Sequence, residues 1–241
     1  DPPECFRVDL AGAVLNLAAW GVTAPEGFRW LDAPDPLVMQ RAVNLLAALG
    51  ATEADGSLTD VGRRMTAFPL PPRLARLMAA GQDEQCVVEL AAIAALMQGE
   101  GVAMKGGLND NLRDSADYTD FQAEWRAVEK AVDAGFEAGA CTRWGISARG
   151  AREVWMAYRQ LLSIGSRGKS REMPEPDFTA ARPAVVRAMM ESFADHVGVR
   201  NGVAANTCRM AGGVGGRLAE GSVAFHGEHF VAAEVAEFIG A

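Results

Sequence analysis

The sequence predicts a mainly α-helical chain with a small β part, and three observations carry that expectation. Apolar residues recur at helical spacing through most of the first two thirds of the chain. Prolines and glycines fall where such helices should start and stop. Near the C-terminus the apolar segments shorten to a few residues between glycine-rich turns, as in a small curled β-domain. Three blocks follow: 1–70, 71–182 with a linker at 165–180, and 183–241.

In the first block Leu10, Val14 and Leu17 predict a helix that Gly21 ends. Pro36 suits the first turn of the next helix, where its missing N–H would go unpaired anyway, and Gly50 stops that helix after Leu49. Asp55-Gly56 is a turn signal between two short segments, 51–54 and 57–58, and Thr59 is placed to cap a helix through Met65. Helix, helix, small wing and helix read as a winged-helix-like unit.

The second block opens with Pro71-Pro72 starting a helix over Leu74, Leu77 and Met78, expected to close at Gly81. Residues 83–97 are apolar almost all round, so that helix should be buried on most sides. Gly99, Gly101, Gly106, Gly107, Asn109 and Asp110 make 99–112 read as an exposed, mobile loop. Helices over 117–138 and 147–164 complete a helical bundle. In the third block a short helix at 185–190 leads into 193–200, followed by segments at 207–210, 217–218, 222–225 and 230–238. The last segment fits strand and helix spacing alike.

Composition narrows the function. Among 241 residues the formal net charge is -8, which argues against a purely electrostatic nucleic-acid binder. The average hides a dipolar distribution: residues 143–171 hold seven basic residues and one acid, whereas residues 1–60 hold nine acids and three basic residues. The four cysteines form no C-x-x-C pair and read as reduced thiols, so a cytoplasmic location is expected. No apolar run approaches the ~20 residues that span a bilayer, and there is no secretory start. The chain opens DPPECF without an initiator Met, which fits an expressed fragment or a processed product.

Several motifs carry less than they promise. Gly165-Ser-Arg-Gly-Lys-Ser170 resembles a phosphate-binding loop, but Ser163 stands where its first glycine belongs, and a helix precedes it where a strand is required. It reads as a flexible basic linker. His226 and His229, with Glu228 and Glu234 nearby, lack the third and fourth ligands of a zinc site. Beyond composition nothing supports a Ser–His–Asp or Cys–His grouping, so neither a catalytic centre nor a cofactor is expected here.

Arg149, Arg152 and Arg159 carry more. At about 100° per residue they share one helical sector, with Val154, Tyr158 and Leu161 on the far side. One face packs and the other offers three guanidinium forks suited to phosphate oxygens. Arg143, Arg167, Lys169 and Arg171 flank this helix, and Arg217 lies further on; these eight are the candidate nucleic-acid-binding residues. A solvated face or pairing to the acidic first block explains the same pattern. Arg63, Arg64, Arg73 and Arg76 form a second cluster around 69–72, suited to gripping a neighbouring domain.

The order of residues in the first two blocks resembles the region that follows the ATPase domains in DEAH-box helicases. Glu4, Arg7, Leu10, Val14, Leu15, Leu17 and Gly21 are similar to the family's E-I-L-R-x-x-L-x-x-x-V-L-x-L-x-x-x-G stretch. Phe28, Leu31, Asp32 and Pro34 match F-x-x-L-D-x-P; Leu46, Leu49, Gly50, Ala51, Gly56, Leu58, Thr59, Gly62 and Met65 continue the match; and Phe68, Pro69, Leu70, Pro72, Leu74 and Ala75 follow F-P-L-x-P-x-L-A. The third block resembles the family's C-terminal OB-like domain through Val186, Arg187, Ala188, Phe193, Ala194, Val197 and Val199, and Ser222 stands at the last serine of the family's I-H-P-S-S turn, whose His and Pro are absent here. The stretch GGRLAEGSV resembles the bacterial HrpB-type branch.

The resemblance implies a winged helix, a ratchet-like helical bundle and an OB-like β-domain. It implies that ATP and Mg belong to two RecA-like domains outside this chain, and that the region guides single-stranded RNA or DNA. An activator protein would dock at the OB-like domain. Two other readings use the same residues: a winged-helix DNA-binding regulator, and a protein–protein scaffold.

Overall fold

The computed structural model describes residues 10–166, 174–202, 205–219 and 221–236. Helix α1 (Ala11–Ala19) ends at Gly21 as its spacing predicts. Helix α2 (Pro36–Ala48) starts on Pro36, and Asp35 caps it by accepting the Leu37 amide hydrogen at 2.7 Å. The wing is real but minimal: Thr52 and Leu58 form one antiparallel bridge around the turn at Gly56. Gly56 has φ +81°, and a Cβ there would lie 2.0 Å from the Thr23 carbonyl oxygen. The wing tip therefore closes directly onto the backbone of the α1–α2 loop. Thr59 Oγ1 then caps α3 (Asp60–Met65) by accepting from the Gly62 amide at 2.9 Å.

Helix α4 (Pro72–Asp83) begins at Pro72 but does not stop at Gly81. It runs on because Gly81 is a point of close approach, its missing side chain leaving room for Leu90. The turn comes later, with Gln85 at φ 58°. Helix α5 (Val87–Gln98) is the buried centre of the bundle, with Leu90–Leu96 all inside. It packs on α4, on α6 (Phe121–Asp133) and on α8 (Ala148–Gly165). The helix expected over 117–138 is shorter, because Gly135 and Phe136, both at positive φ, turn the chain into α7 (Ala138–Arg143).

The loop expected to hang free at 99–112 is stitched to the turn before α8. Ala103 bridges Ile146, the Met104 amide donates to the Gly145 carbonyl at 2.8 Å, and the Asn109 amide donates to the Trp144 carbonyl at 3.0 Å. Val102 and Leu112 are buried. A Cβ on Gly145 would sit 2.2 Å from the Gly107 oxygen, so glycine here permits contact rather than looseness.

Of the predicted linker, 167–173 lies outside the described residues. Its described end is fastened down: the Asp177 amide donates to Glu89 Oε1 at 3.0 Å, Tyr158 donates to the Pro174 carbonyl at 2.6 Å, and Phe178 is buried. Helix α9 (Arg182–Ser192) packs on α4.

Beyond it β1 (Val197–Arg200), β2 (Thr207–Met210), β3 (Gly215–Arg217) and β4 (His229–Val231) form one antiparallel sheet in the order β3-β2-β1-β4. The segment expected as a strand at 222–225 is a 3-10 turn, Val223–His226, capped by Ser222. Among the described residues the sheet is open rather than the closed barrel an OB-like domain implies. Among them, too, no helix is long and apolar enough to cross a membrane.

Gly145→Ala should lower unfolding stability by about 2–3 kcal/mol, because it combines positive-φ strain with a backbone collision. Gly135→Ala, also at positive φ but with open space around it, should cost about 1 kcal/mol. Urea unfolding monitored by circular dichroism measures both, and the gap between them reports the 99–112 contact.

Candidate nucleic-acid interface

Helix α8 presents its basic residues as its spacing predicts. Ser147 caps it, with the Gly150 amide donating to Oγ at 3.1 Å, and Ala151, Val154, Tyr158 and Leu161 are buried. Arg149, Arg152 and Arg159 are exposed. Their surroundings differ. Arg149 donates to Glu153 at 2.8 Å and lies 3.6 Å from Glu100, so it is partly neutralised, and these carboxylates hold its guanidinium above its ordinary range. Arg152 stacks over the Phe136 ring, 5.0 Å from its centroid, which fixes its plane without consuming its charge. Among the described residues the Arg159 side chain has neither a hydrogen-bond nor an ion-pair partner.

Arg143 is exposed in the last turn of α7. Near it, Lys130 stacks over Trp144 at 4.8 Å, a cation that sequence reasoning missed. Its only sequence signal is a lysine in the last turn of an amphipathic helix. Trp125, half-buried Trp155 and Tyr158 pack together beneath, with ring centroids 4.7–6.2 Å apart. Arg167, Lys169 and Arg171 lie outside the described residues. Arg217 stands apart on edge strand β3.

The second cluster is occupied within the chain. Arg63 bonds Asp60 and the Leu58 carbonyl, inside the winged unit. Arg64 makes a two-pronged contact with Asp83 at 2.7 and 2.8 Å, joining α3 to the end of α4 and holding the Asp83 carboxyl below its usual range. Arg73 grips Asp195 at 2.8 and 2.6 Å and the Ser192 carbonyl at 3.0 Å. Arg76 reaches the Leu49 carbonyl at 3.0 Å and Glu191 at 2.7 Å, so one side chain touches the end of α2 and the end of α9 from α4. Arg187 adds a contact to Glu84 at 2.6 Å that the sequence reading did not anticipate.

A cleft of about 710 Å³ separates the bundle from the 3-10 turn of the β region. Asp110, Asp114, Asp117, Asp120, Phe225 and His226 help line it. Asp120 accepts from Ser222 Oγ and from the Val223 amide, both at 2.7 Å, and Arg113 donates to the Gly221 carbonyl at 2.7 Å. Asp117 is tied to Arg126. Four carboxylates line this cleft against one guanidinium, that of Arg113, a charge balance that disfavours phosphate. On its flank Glu124 is pushed up to about 7, chiefly by burial and then by Asp120, against the pull of Arg113.

Residues 42–70 match the model of the helicase associated domain (HA2), winged-helix. The chain is similar to the crystal structure of the Escherichia coli DExH-box NTPase HrpB, with a TM-score of 0.66 and 22% identity over 98% of this chain. A second crystal structure, of the E. coli DEAH/RHA helicase HrpB, gives 0.64 and 23% over the same share. In both cases the chain spans 24% of the larger protein. At these identities the likeness is one of fold.

Arg76→Met keeps the apolar stem but removes the fork, and should lower stability by about 2 kcal/mol, read as a shifted urea midpoint. Glu124 keeps its proton to about pH 7 when folded, against an ordinary 4.5. Its folded pKa is raised, so stability falls as pH rises through this window. Glu124→Gln should flatten that part of a melting-temperature profile; a profile unchanged by the substitution would show that another group titrates.

Proposed function

We propose that this chain is the C-terminal accessory region of an ATP-dependent RNA helicase, guiding a single strand while domains outside it hydrolyse ATP. The observation that carries the reading is the exposed arginine face of α8, set on a fold shared with helicase structures. In this reading 1–70 is a winged-helix domain, 71–182 a ratchet-like bundle and 183–241 an OB-like domain. Arg143, Arg149, Arg152, Arg159, Arg167, Lys169, Arg171 and Arg217 would meet phosphates, while Arg64, Arg73 and Arg76 hold the three blocks together; Arg63, paired within the winged unit, does not. ATP and Mg would bind the RecA-like partner domains, in a bacterial cytoplasm, and an activator protein would dock on the β region.

Chemistry within the site favours Arg152 and Arg159 as the principal contacts. Arg149 must first leave Glu153 and Glu100, whereas Arg152 is already oriented by a ring and Arg159 has no competing carboxylate among the described residues. A duplex-reading regulator finds less support. The six-residue α3 carries Arg63 and Arg64, and both are engaged within the chain.

Fluorescence anisotropy with a labelled single-stranded RNA tests this. Each phosphate contact on a single strand contributes about 0.7 to the slope of log K against log salt, so Arg152→Gln with Arg159→Gln should reduce the slope by about 1.4. A slope indifferent to both substitutions would overturn the assignment. Binding of RNA and DNA single strands side by side decides between the two substrates.

A further inference from the structure

Two of the ties between the β region and the helices differ in kind. At the first, α9 runs through the short turn Ala194–His196 into β1, and Arg73 grips that turn at Asp195. Phe193 is buried beside it, the Ala232 amide donates to the His196 carbonyl at 3.0 Å, and Val231 and Ala233 pack on the helical core. The second tie is polar. Asp120, at the start of α6, accepts from the Ser222 hydroxyl and the Val223 amide, and Arg113, in the loop before α6, donates to the Gly221 carbonyl. Apolar packing does not seal this second joint: the cleft lies between Ala123 on α6 and Val223 and Phe225 of the turn.

The turn belongs mechanically to the sheet. Arg200 on β1 is buried, donates to the carbonyls of Phe225 and Gly227, and lies over the Phe225 ring at 5.6 Å. Ser222 caps the turn by accepting from the Ala224 amide at 3.2 Å. The turn therefore keeps its shape without the bundle. The bundle in its own right loses little on letting go. Asp120 and Arg113 are exposed, so water replaces their partners and no buried polar group is stranded. The N-terminus of α6 stabilises the Asp120 carboxylate whether or not the turn is present.

We propose that Asp120 and Arg113 with Gly221, Ser222 and Val223 form a releasable latch between the bundle and the β region. Engaged, it holds the β region against the start of α6. Released, the sheet and its turn swing together about Ala194–His196, with Arg73 keeping the pivot in place, and the cleft widens. A short element-terminal segment absorbing the backbone change while packed bodies move intact is the usual form of a hinge. The two halves of the latch act as one unit, because Gly221, Ser222 and Val223 are consecutive and cannot leave Asp120 and Arg113 independently. No residue of the latch is among those assigned to phosphate, so its existence does not depend on nucleic-acid binding.

Amide hydrogen exchange of the whole chain, followed by NMR, tests the latch. In the unsubstituted protein the Val223 amide should exchange faster than the Arg200 amide, which donates to the Glu228 carbonyl at 2.9 Å, because the latch opens while the sheet stays folded. Arg113→Met leaves Asp120, the partner of Val223, in place. It should nevertheless speed Val223 exchange about tenfold, the shift expected from losing one hydrogen bond to a charged group, with Arg200 unchanged. Ser222→Asp sets a second carboxylate against Asp120 and should act in the same direction. Val223 exchange indifferent to Arg113→Met would overturn the latch, since the two contacts would then open separately. Val223 and Arg200 exchanging at one rate, or accelerating in step, would overturn it as well, since the β region would then unfold rather than swing.

Discussion

Helix α4 has to satisfy two surfaces at once, and most of the architecture follows from how it does so. Its apolar side, with Leu74, Leu77 and Met78 fully or almost fully buried, packs on α5. Its flanks carry Arg73 and Arg76, which would be costly to cover without partners. Asp195 and Glu191 supply those partners from the region around the end of α9. The far end of α4 carries Asp83 and Glu84, the wrong charges for a helix C-terminus, and Arg64 and Arg187 offset them from α3 and α9. Magnitudes separate the roles. Each buried Leu or Met side chain contributes roughly 1.5–3 kcal/mol, whereas a partly exposed ion pair contributes about 0–1. Apolar burial decides that these helices associate; the arginine contacts decide at which angle and register.

The same division explains why positive charge survives on α8. Its inner side is committed to α5 and α6 through Val154, Tyr158 and Leu161, so its outer side is free to be polar. The acidic cleft beside Asp120 and the arginine-bearing outer face of α8 keep opposite charges on separate surfaces.

Much of this was legible in the sequence because the signals were local. Pro36, Asp35, Thr59 and Pro72 mark helix starts through chemistry that acts within a few residues, and Arg149, Arg152 and Arg159 fell on one exposed face by period alone. What was not legible depended on partners distant in the chain. Gly81 reads as a stop until Leu90 is seen to need its space. The glycines near 99–112 read as slack until Gly107 and Gly145 are found in backbone contact. Residues 222–225 have strand-like composition, yet Asp120 and Ser222 hold them in a tight turn. Glu153, four residues beyond Arg149, was a local signal that could have been read as a competing partner.

Arg76 has one mechanical consequence. A single planar group is bolted at one edge to the last turn of the winged unit's second helix and at another to the helix that feeds the sheet. Only the short turn Ala194–His196 separates that helix from β1, and Arg73 clamps it at Asp195. Torque applied to the winged unit would therefore meet a continuous chain of polar contacts running through α4 to the β region, beside the bundle's apolar centre rather than through it.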